Sequence, residues 1–205
     1  MYVRAMDRYI IRIGKQEDCA EILRLIKELA NHEKKGEYVN ITEETLVRDG
    51  FGPSPHFKAT VVEMKTGKDT IDDSTSPGGT LAGFIFYFYG YDSWKGRMVF
   101  LEDFYVCESH RGKGLGAALF HLTAKLAFAD GCHSMMFYVH HDNLIAKQFY
   151  KKILVENLTQ TEKWDLMELS NDHFPSYAAS PLKLRDHVYL EADLRIHEQN
   201  NSDCV

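Results

Sequence analysis

The sequence predicts an α/β protein of the α+β kind, with a mixed, mostly antiparallel central sheet flanked by helices. Two apolar runs, residues 57–64 and 81–89, are separated by a connection rich in Gly, Asp, Ser, Thr and Pro, which is typical of an antiparallel pair. A third run, residues 99–106, leads through a glycine-rich turn into a helix that begins near Ala117. Antiparallel strands before such a turn are not expected in a doubly wound dinucleotide-binding fold.

The N-terminal part predicts one strand and two helices. Residues 9–13 form a short apolar strand pattern. Between Asp18 and Glu33, apolar residues recur at helical spacing and predict an amphipathic helix. Thr42, followed by two glutamates, predicts the start of a second helix, and Gly50 predicts its end.

The part after the glycine turn predicts a helix, a strand and a second helix. The first helix ends at Gly131, and residues 134–139 predict a buried strand. Asn143 is a suitable cap for a helix that carries Ala146, Phe149 and Tyr150. For the last strand, residues 164–169 and residues 188–196 are both candidates, and the second segment alternates more cleanly.

The composition places limits on the class of protein. The 205 residues are 44% hydrophobic, which is enough for one core, so we expect one domain spanning residues 1–205. The net charge of −6 argues against a nucleic-acid partner and suits a small cationic substrate. The four scattered cysteines have no metal spacing and indicate reduced thiols in the cytoplasm. The longest apolar run is too short to span a membrane, and the start lacks a signal-peptide core.

The glycine-rich turn is the strongest candidate for a binding site. Gly112, Gly114 and Gly116 occupy alternate positions at a helix start, where free amides and the helix dipole favour an anion. Arg111 and Lys113 add positive charge, so the expected ligand is a phosphate or pyrophosphate. A tight turn without a ligand remains the alternative.

Two other phosphate motifs fit this turn less well. A P-loop requires Ser or Thr after its Gly-Lys pair, and here Gly114 follows Lys113. The pattern Gly112-x-Gly114-x-x-Ala117 fits the dinucleotide fingerprint, but that fingerprint usually opens a fold. Its acidic partner is matched only loosely by Asp142.

The turn RGKGLG, residues 111–116, resembles the (Q/R)-x-x-G-x-(G/A) acetyl-CoA loop of the GCN5-related N-acetyltransferase superfamily. Within that superfamily the chain is similar to the diamine N-acetyltransferases, which act on spermidine, spermine and thialysine. The similarity covers residues 9–169 and leaves residues 170–205 as an atypical C-terminal extension. The segments that carry it are residues 18–30, 49–52, 101–106 and 149–151, with Trp164.

The resemblance implies a GNAT fold whose sheet is splayed at the acetyl-CoA site. It implies transfer of acetyl from acetyl-CoA to a primary amine of a small diamine, polyamine or thialysine-like substrate, by direct attack and without a metal. It also implies a cytoplasmic homodimer. Two alternatives stay open: a protein lysine or N-terminal acetyltransferase, and a catalytically silent acyl-CoA-binding module.

The resemblance also assigns residues. Glu102 would take the proton of the amine through water, and Tyr150 would protonate the leaving thiolate. The expected substrate residues are His32, Glu33, Glu102 and Glu162. The expected cofactor-binding residues are Phe104, Tyr105, Val106, Arg111, Gly112, Lys113, Gly114, Leu115, Gly116, Ala117, Asn143 and Ala146. Without the resemblance, Tyr150 would be an ordinary core aromatic and Glu102 a solvated strand residue.

Three further positions carry expectations that the structure can test. By strand alternation, Asp103 should face away from Glu102 and be structural. The resembled proteins usually have glycine where Leu154 stands, and Asn157 is a candidate for the left-handed helix end instead. His140 and His141 precede Asp142, but adjacent strand residues point to opposite faces, which argues against a metal site.

Overall fold

The structure is a computed structural model that describes residues 8–65, 79–163, 165–170 and 173–179. The chain divides into two compact units, Met1–Gln148, which contains the sheet, and Phe149–Val205. Trp164 and the candidate strand at residues 188–196 lie outside the described residues, as does most of the connection before Leu81. Residues 165–169, the rest of the other candidate for the last strand, are described and form neither a strand nor a helix, so that candidate is wrong. The single domain over 1–205 stays a prediction.

Five described strands form one sheet in the order β1-β2-β3-β4-β5. The first four are antiparallel to their neighbours, and β5 runs parallel to β4. This topology confirms the mixed, mostly antiparallel sheet. The strands are β1 (Arg8–Ile13), β2 (Lys58–Lys65), β3 (Leu81–Asp92), β4 (Gly96–Val106) and β5 (Ser134–Phe137).

Two of the helices begin at the predicted caps. The Thr45 amide donates to Thr42 Oγ1 at 3.2 Å, and the Ala146 amide donates to Asn143 Oδ1 at 3.0 Å. Both side chains satisfy amides that a first helical turn leaves without an intrahelical acceptor. The helices are α1 (Cys19–His32), α2 (Glu43–Phe51), α3 (Leu115–Ala129), α4 (Leu144–Lys152), α5 (Leu158–Thr161) and α6 (Phe174–Ala179).

The sheet is covered on both faces. One apolar cluster packs Ile22 and Leu25 of α1 against Val61 and Phe84. The other cluster contains Leu119 of α3 and the strand residues that point the opposite way, which are Val62, Ile85, Val99 and Leu101. Adjacent strand residues therefore serve opposite layers, as the pleat requires.

A buried ion-pair network fixes the start of α1. Arg12 of β1 donates from both terminal nitrogens to the Asp18 carboxylate, at 2.7 and 2.8 Å, and from Nε to Glu63 at 2.7 Å. Asp18 is almost fully buried and directly precedes the helix. Because a buried charge is tolerated only when it is paired, this contact ties the helix to the sheet edge.

The end of α4 differs from the expectation. Leu154 itself adopts the left-handed conformation, with φ of 62°, whereas Asn157 has φ of −93°. The Val155 amide donates to Tyr150 O at 3.1 Å and the Leu154 amide donates to Lys151 O at 3.4 Å, which is a Schellman motif. The candidate role of Asn157 is therefore wrong, because the chain turns three residues earlier.

Replacing Leu154 by glycine should stabilise the protein by about 0.5–1 kcal/mol, since glycine adopts the left-handed conformation without the Cβ clash. Little burial is lost, because Leu154 is 93% exposed. Urea unfolding of Leu154→Gly measures the change. The control is Leu166→Gly, at an exposed leucine outside any helix or strand and without positive φ. An unfolding midpoint of Leu154→Gly at or below wild type would contradict the strain.

Candidate active site

β4 contains a β-bulge at Glu102. Leu101 pairs with Tyr87 of β3 and Asp103 pairs with Phe86, so two successive residues of β3 oppose three residues of β4. Glu102 is the extra residue. A bulge of this kind interrupts the alternation of side chains along the strand and redirects the residues after it.

The bulge brings Glu102 and Asp103 to the same face of the sheet. Tyr105, two residues after Asp103, packs in the cluster beneath α1. Phe100, two residues before Glu102, stacks with Phe88 of β3 at 5.2 Å between ring centroids. Phe88 follows Phe86 by two residues and therefore lies on the same α1 face of the sheet, which places Phe100 and, by alternation, Glu102 on that face as well. The expectation that Asp103 faces away from Glu102 is therefore wrong, because simple alternation does not continue across a bulge.

The sheet opens immediately after the bulge. β5 pairs with β4 only from Met98 to Leu101, where Leu101 meets Phe137. From Glu102 to Val106, β4 keeps β3 on one side and has passed the end of β5 on the other. This geometry confirms the predicted splay. Backbone amides on that open side are suitable donors for an oxyanion, and the predicted segment from Phe104 to Val106 lies within it.

The turn after the strand has the shape of an anion cradle. Gly112 and Gly114 have φ of 77° and 80°, and in the described part of the chain no heavy atom beyond the adjoining residues lies within 4 Å of the place where either would carry a Cβ. The first helical hydrogen bond runs from the Ala118 amide to Gly114 O at 3.1 Å. The amides of residues 115–117 therefore have no carbonyl acceptor within α3. Such amides at a helix start favour a phosphate.

Gly116 serves packing instead. It lies inside α3, and a Cβ at this position would be 3.3 Å from the ring of Phe104. Phe104 and Val106 pack in the α3 layer, whereas Tyr105 packs in the α1 layer. The absence of a side chain at Gly116 thus lets the start of α3 approach the open end of β4.

The two cations of the turn have different neighbours. Arg111 Nε donates to Val106 O at 2.9 Å, and the guanidinium lies 5.5 Å from the centre of the Tyr105 ring. Lys113 Nζ donates to the hydroxyl of Tyr9 on β1 at 2.6 Å. Arg111 is therefore engaged with the strand that leads into the turn, and Lys113 is engaged with the far edge of the sheet.

The carboxylate of Asp103 at the bulge is affected by the charges of two other carboxylates. Burial, followed by the charges of Glu102 and Glu33, raises the pKa of Asp103 to about 6. Glu33 caps the C-terminal end of α1, next to His32, and both of these predicted substrate residues are exposed. The structure therefore brings Glu33 into electrostatic range of the Glu102–Asp103 pair. The sequence alone indicated only a structural role for Asp103, because strand alternation does not show the bulge that turns it to the face of Glu102.

The remaining predicted residues lie in or near α4 and α5. Tyr150 is buried in α4, and burial raises the pKa of its phenol to about 12. Asn143 and Ala146 are joined by the capping hydrogen bond of this helix. Glu162 is exposed and follows α5 directly. The catalytic and binding roles of these residues stay predictions.

Within residues 8–65, 79–163, 165–170 and 173–179, no helix has the length and apolar character needed to cross a membrane. In the same part of the chain, no three His, Cys, Asp or Glu side chains are grouped as a metal site would require.

Comparisons with known proteins agree with this geometry. Residues 66–154 match the family described as acetyltransferase (GNAT). Thialysine N-epsilon-acetyltransferase of Bos taurus is 37% identical over 155 residues, which cover 76% of this chain and 88% of that protein. Spermidine/spermine N(1)-acetyltransferase-like protein 1 of Homo sapiens is 36% identical over 169 residues, covering 82% of this chain but 23% of that longer protein.

Solved structures share the fold. An integron cassette protein of V. cholerae has a TM-score of 0.63 at 19% identity and covers 84% of this chain and 98% of its own. The aminoglycoside N-acetyltransferase AAC(6')-Iy, solved in complex with CoA, has a TM-score of 0.56 at 18% identity, covering 77% of this chain and 93% of its own. The bulged strand and the glycine turn agree with the family match and with the identity to the relatives above. The chain therefore belongs to the GNAT acetyltransferase family and is an acyltransferase.

Proposed function

We propose that the protein transfers an acetyl group from acetyl-CoA to a primary amine of a small diamine, polyamine or thialysine-like substrate. The observation that supports the substrate class is the position of Glu102 and Asp103 on one face at the open end of β4, with Glu33 close enough for its charge to contribute to the raised pKa of Asp103. Acidic side chains at one end of a strand attract a compact cation. The names of the two relatives, which refer to thialysine and to spermidine and spermine, support the same class.

The residues of the turn fit the coenzyme. Amides between Gly112 and Ala117, together with Lys113, would hold its diphosphate, because the positive φ angles leave the backbone open to close approach. Amides of the open segment from Phe104 to Val106 would donate to the acyl oxygen as it gains charge. Asn143 and Ala146 would complete the coenzyme site. The bound thioester supplies an activated acyl carbon.

The acceptor amine must lose a proton before it attacks. An alkyl ammonium has a pKa of about 10.4, so most of the substrate is protonated at neutral pH. Glu102, on the exposed side of the bulge, would remove this proton through water, and Asp103 would accept it in turn. With a pKa of about 6, the Asp103 carboxylate is ionised at pH 7.5 yet more basic than an ordinary aspartate.

Tyr150 is the proposed proton donor to the leaving thiolate. Its raised pKa of about 12 keeps the phenol protonated throughout the working range. Burial disfavours every anion, so a thiolate formed in an apolar surrounding also becomes a stronger base and accepts a phenolic proton more readily. His32 and Glu162 would contact the more distant part of the substrate.

We further propose a cytoplasmic homodimer without nucleic-acid or membrane partners and without a metal. The resemblance to the diamine N-acetyltransferases supports the dimer and the absence of a metal. The net charge of −6 supports the exclusion of nucleic acid.

The function is tested by thiol release from acetyl-CoA with a panel of spermidine, spermine, thialysine, lysine and a lysine-containing peptide. We expect turnover with the small polyvalent amines or with thialysine, and a kcat/KM at least about tenfold lower with the peptide. The peptide carries its ammonium on a bulky chain and is not a compact cation that fits beside the acidic residues. Preference for the peptide would favour the protein acetyltransferase alternative. Tight binding of CoA without thiol release from any amine would favour the silent module.

Asp103→Asn should remove the acidic limb of the pH profile, in which kcat/KM rises with pH. In the wild type, kcat/KM should rise with pH through a midpoint of about 6, because the carboxylate must be ionised to accept a proton. In Asp103→Asn this limb should disappear, and kcat/KM at pH 7.5 should fall by about 100-fold or more. An unchanged limb would exclude Asp103 as its source.

The same variant should be more stable than the wild type at pH 7.5. The pKa of Asp103 is raised on folding from 3.8 to about 6. The neutral acid is therefore favoured in the folded state, and stability is lost as pH rises through this window. The loss approaches about 2–3 kcal/mol at full ionisation and is absent at pH 3. Glu102→Gln, at the exposed neighbour, is the matched comparison. It should raise the unfolding midpoint at pH 7.5 by less than Asp103→Asn does, because it removes one neighbouring charge while burial is the larger cause of the shift.

Tyr150→Phe should lower kcat by about 10- to 100-fold with little change in the dissociation constant of CoA, because one donor hydroxyl is lost and the ring is kept. Single-turnover kinetics and calorimetric titration with CoA separate the two quantities. Tyr177→Phe, at an exposed tyrosine of α6, is the control and should match wild type. A kcat of Tyr150→Phe equal to that of wild type would remove Tyr150 from the mechanism.

A further inference from the structure

Tyr9 joins the first strand to the glycine turn, although the turn lies more than a hundred residues later. Lys113 Nζ donates to Tyr9 Oη at 2.6 Å, and Tyr9 Oη lies 2.8 Å from His110 Nδ1. The rings of Tyr9 and His110 meet edge to face at 5.7 Å between centroids. The ammonium of Lys113 lies 5.0 Å from the centre of the Tyr9 ring. Neither Tyr9 nor His110 belongs to the resemblance motifs.

The hydrogen bonds of this group are mutually consistent. An ammonium only donates, so the Tyr9 oxygen accepts from Lys113. The Tyr9 hydroxyl also shares a hydrogen bond with His110 Nδ1, and the tautomer of the histidine decides which of the two donates. The bond from Lys113 to Tyr9 therefore has one possible direction, and the bond to His110 adds a second contact that fixes the Tyr9 hydroxyl.

The arrangement restricts a side chain that is otherwise flexible. A lysine side chain has several rotatable bonds and loses rotamer entropy when it is fixed. In the turn, Lys113 is exposed and sits between two glycines in the left-handed conformation. The hydroxyl of Tyr9 meets the ammonium from the neighbouring strand through the hydrogen bond at 2.6 Å.

The other cation of the turn is oriented differently. Arg111 donates from Nε to Val106 O, and its guanidinium lies against Tyr105 in the α1 layer. Tyr9 packs against the opposite layer, beneath α3. Lys113 and Arg111 are therefore directed to different faces of the sheet, and Lys113 is the cation on the side where the start of α3 presents its amides.

We propose that Tyr9 is a positioning residue for coenzyme binding, which holds the Lys113 ammonium where it meets a phosphate group of the coenzyme. This inference rests on the proposed use of acetyl-CoA. The ligand chemistry is a phosphate anion, which can be either the diphosphate or the 3′-phosphate of the coenzyme. Tyr9 acts only through Lys113 and does not touch the reacting atoms.

The test is a double-mutant cycle with Tyr9→Phe and Lys113→Met, in which KM for acetyl-CoA and kcat are measured at saturating amine. Lys113→Met should raise KM by about 10- to 100-fold, since a charge-assisted contact is lost. Tyr9→Phe should raise KM by about 3- to 10-fold, the range expected for one hydrogen bond that orients a charged group. In both variants kcat should change less than about twofold, because the reacting groups are untouched.

The KM of the double variant shows whether Tyr9 acts through Lys113. Because Tyr9 acts through Lys113, adding Tyr9→Phe to Lys113→Met should raise KM no further. Multiplicative effects in the double variant would overturn the proposal, as would an unchanged KM in Tyr9→Phe. Tyr91→Phe, at a tyrosine that is 76% exposed on β3, is the matched control and should equal wild type.

Two additional measurements separate the possible causes. The first repeats the KM measurement with acetyl-3′-dephospho-CoA. If Lys113→Met no longer raises KM, the contact is to the 3′-phosphate, and if it still does, the contact is to the diphosphate; both results support the proposal. If Lys113→Met raises KM with neither coenzyme, the proposal is overturned. Thermal unfolding identifies a variant that fails to fold, and Tyr9→Leu then replaces Tyr9→Phe in the cycle. If calorimetry shows that wild type does not bind acetyl-CoA, the proposed function itself fails, which is distinct from failure of the Tyr9 role.

Discussion

The open edge of β4 is the constraint on which the rest of the site depends. Pairing with β5 ends at Leu101, and the bulge at Glu102 turns the following residues while β3 continues to hold them. A strand that is secured on one side only presents its backbone donors at a fixed position on the other. Core packing on both faces, by α1 and by α3, keeps that position rigid. The site is therefore a property of the sheet rather than of a mobile loop.

The bulge also explains why acidic side chains lie together at the candidate site. It places two successive carboxylates on the face covered by α1, near the carboxylate of Glu33 at the end of that helix. Burial and, after it, the charges of the neighbouring carboxylates disfavour the ionised form of Asp103 and raise its pKa to about 6. A cationic ligand would offset the charge repulsion, so the same grouping would favour the proposed substrate. The pairing of Arg12 with Asp18 at the other end of α1 holds the helix in place.

Sequence patterns predicted the five described strands, the first four helices and the turn, but not the short helices α5 and α6 or the tertiary detail. The strands, the caps at Thr42 and Asn143 and the glycine turn are local features, and local periodicity and capping chemistry predict them well. The face of Asp103 depends on a bulge, which one extra residue creates and which strand alternation cannot show. The left-handed turn at Leu154 has no glycine to mark it. The contact of Tyr9 with Lys113 joins segments that only the folded sheet brings together.

The close approach of Gly116 to Phe104 has a consequence for how ligand affinity can vary in this fold. A Cβ at Gly116 would lie 3.3 Å from the tip of the Phe104 ring, so the ring or the helix start would have to yield by a few tenths of an ångström. Where the ring cannot yield, the amides proposed for the phosphate would shift with the helix that carries them. A substitution in the apolar interior could thus change coenzyme affinity while every residue that faces the ligand stays the same.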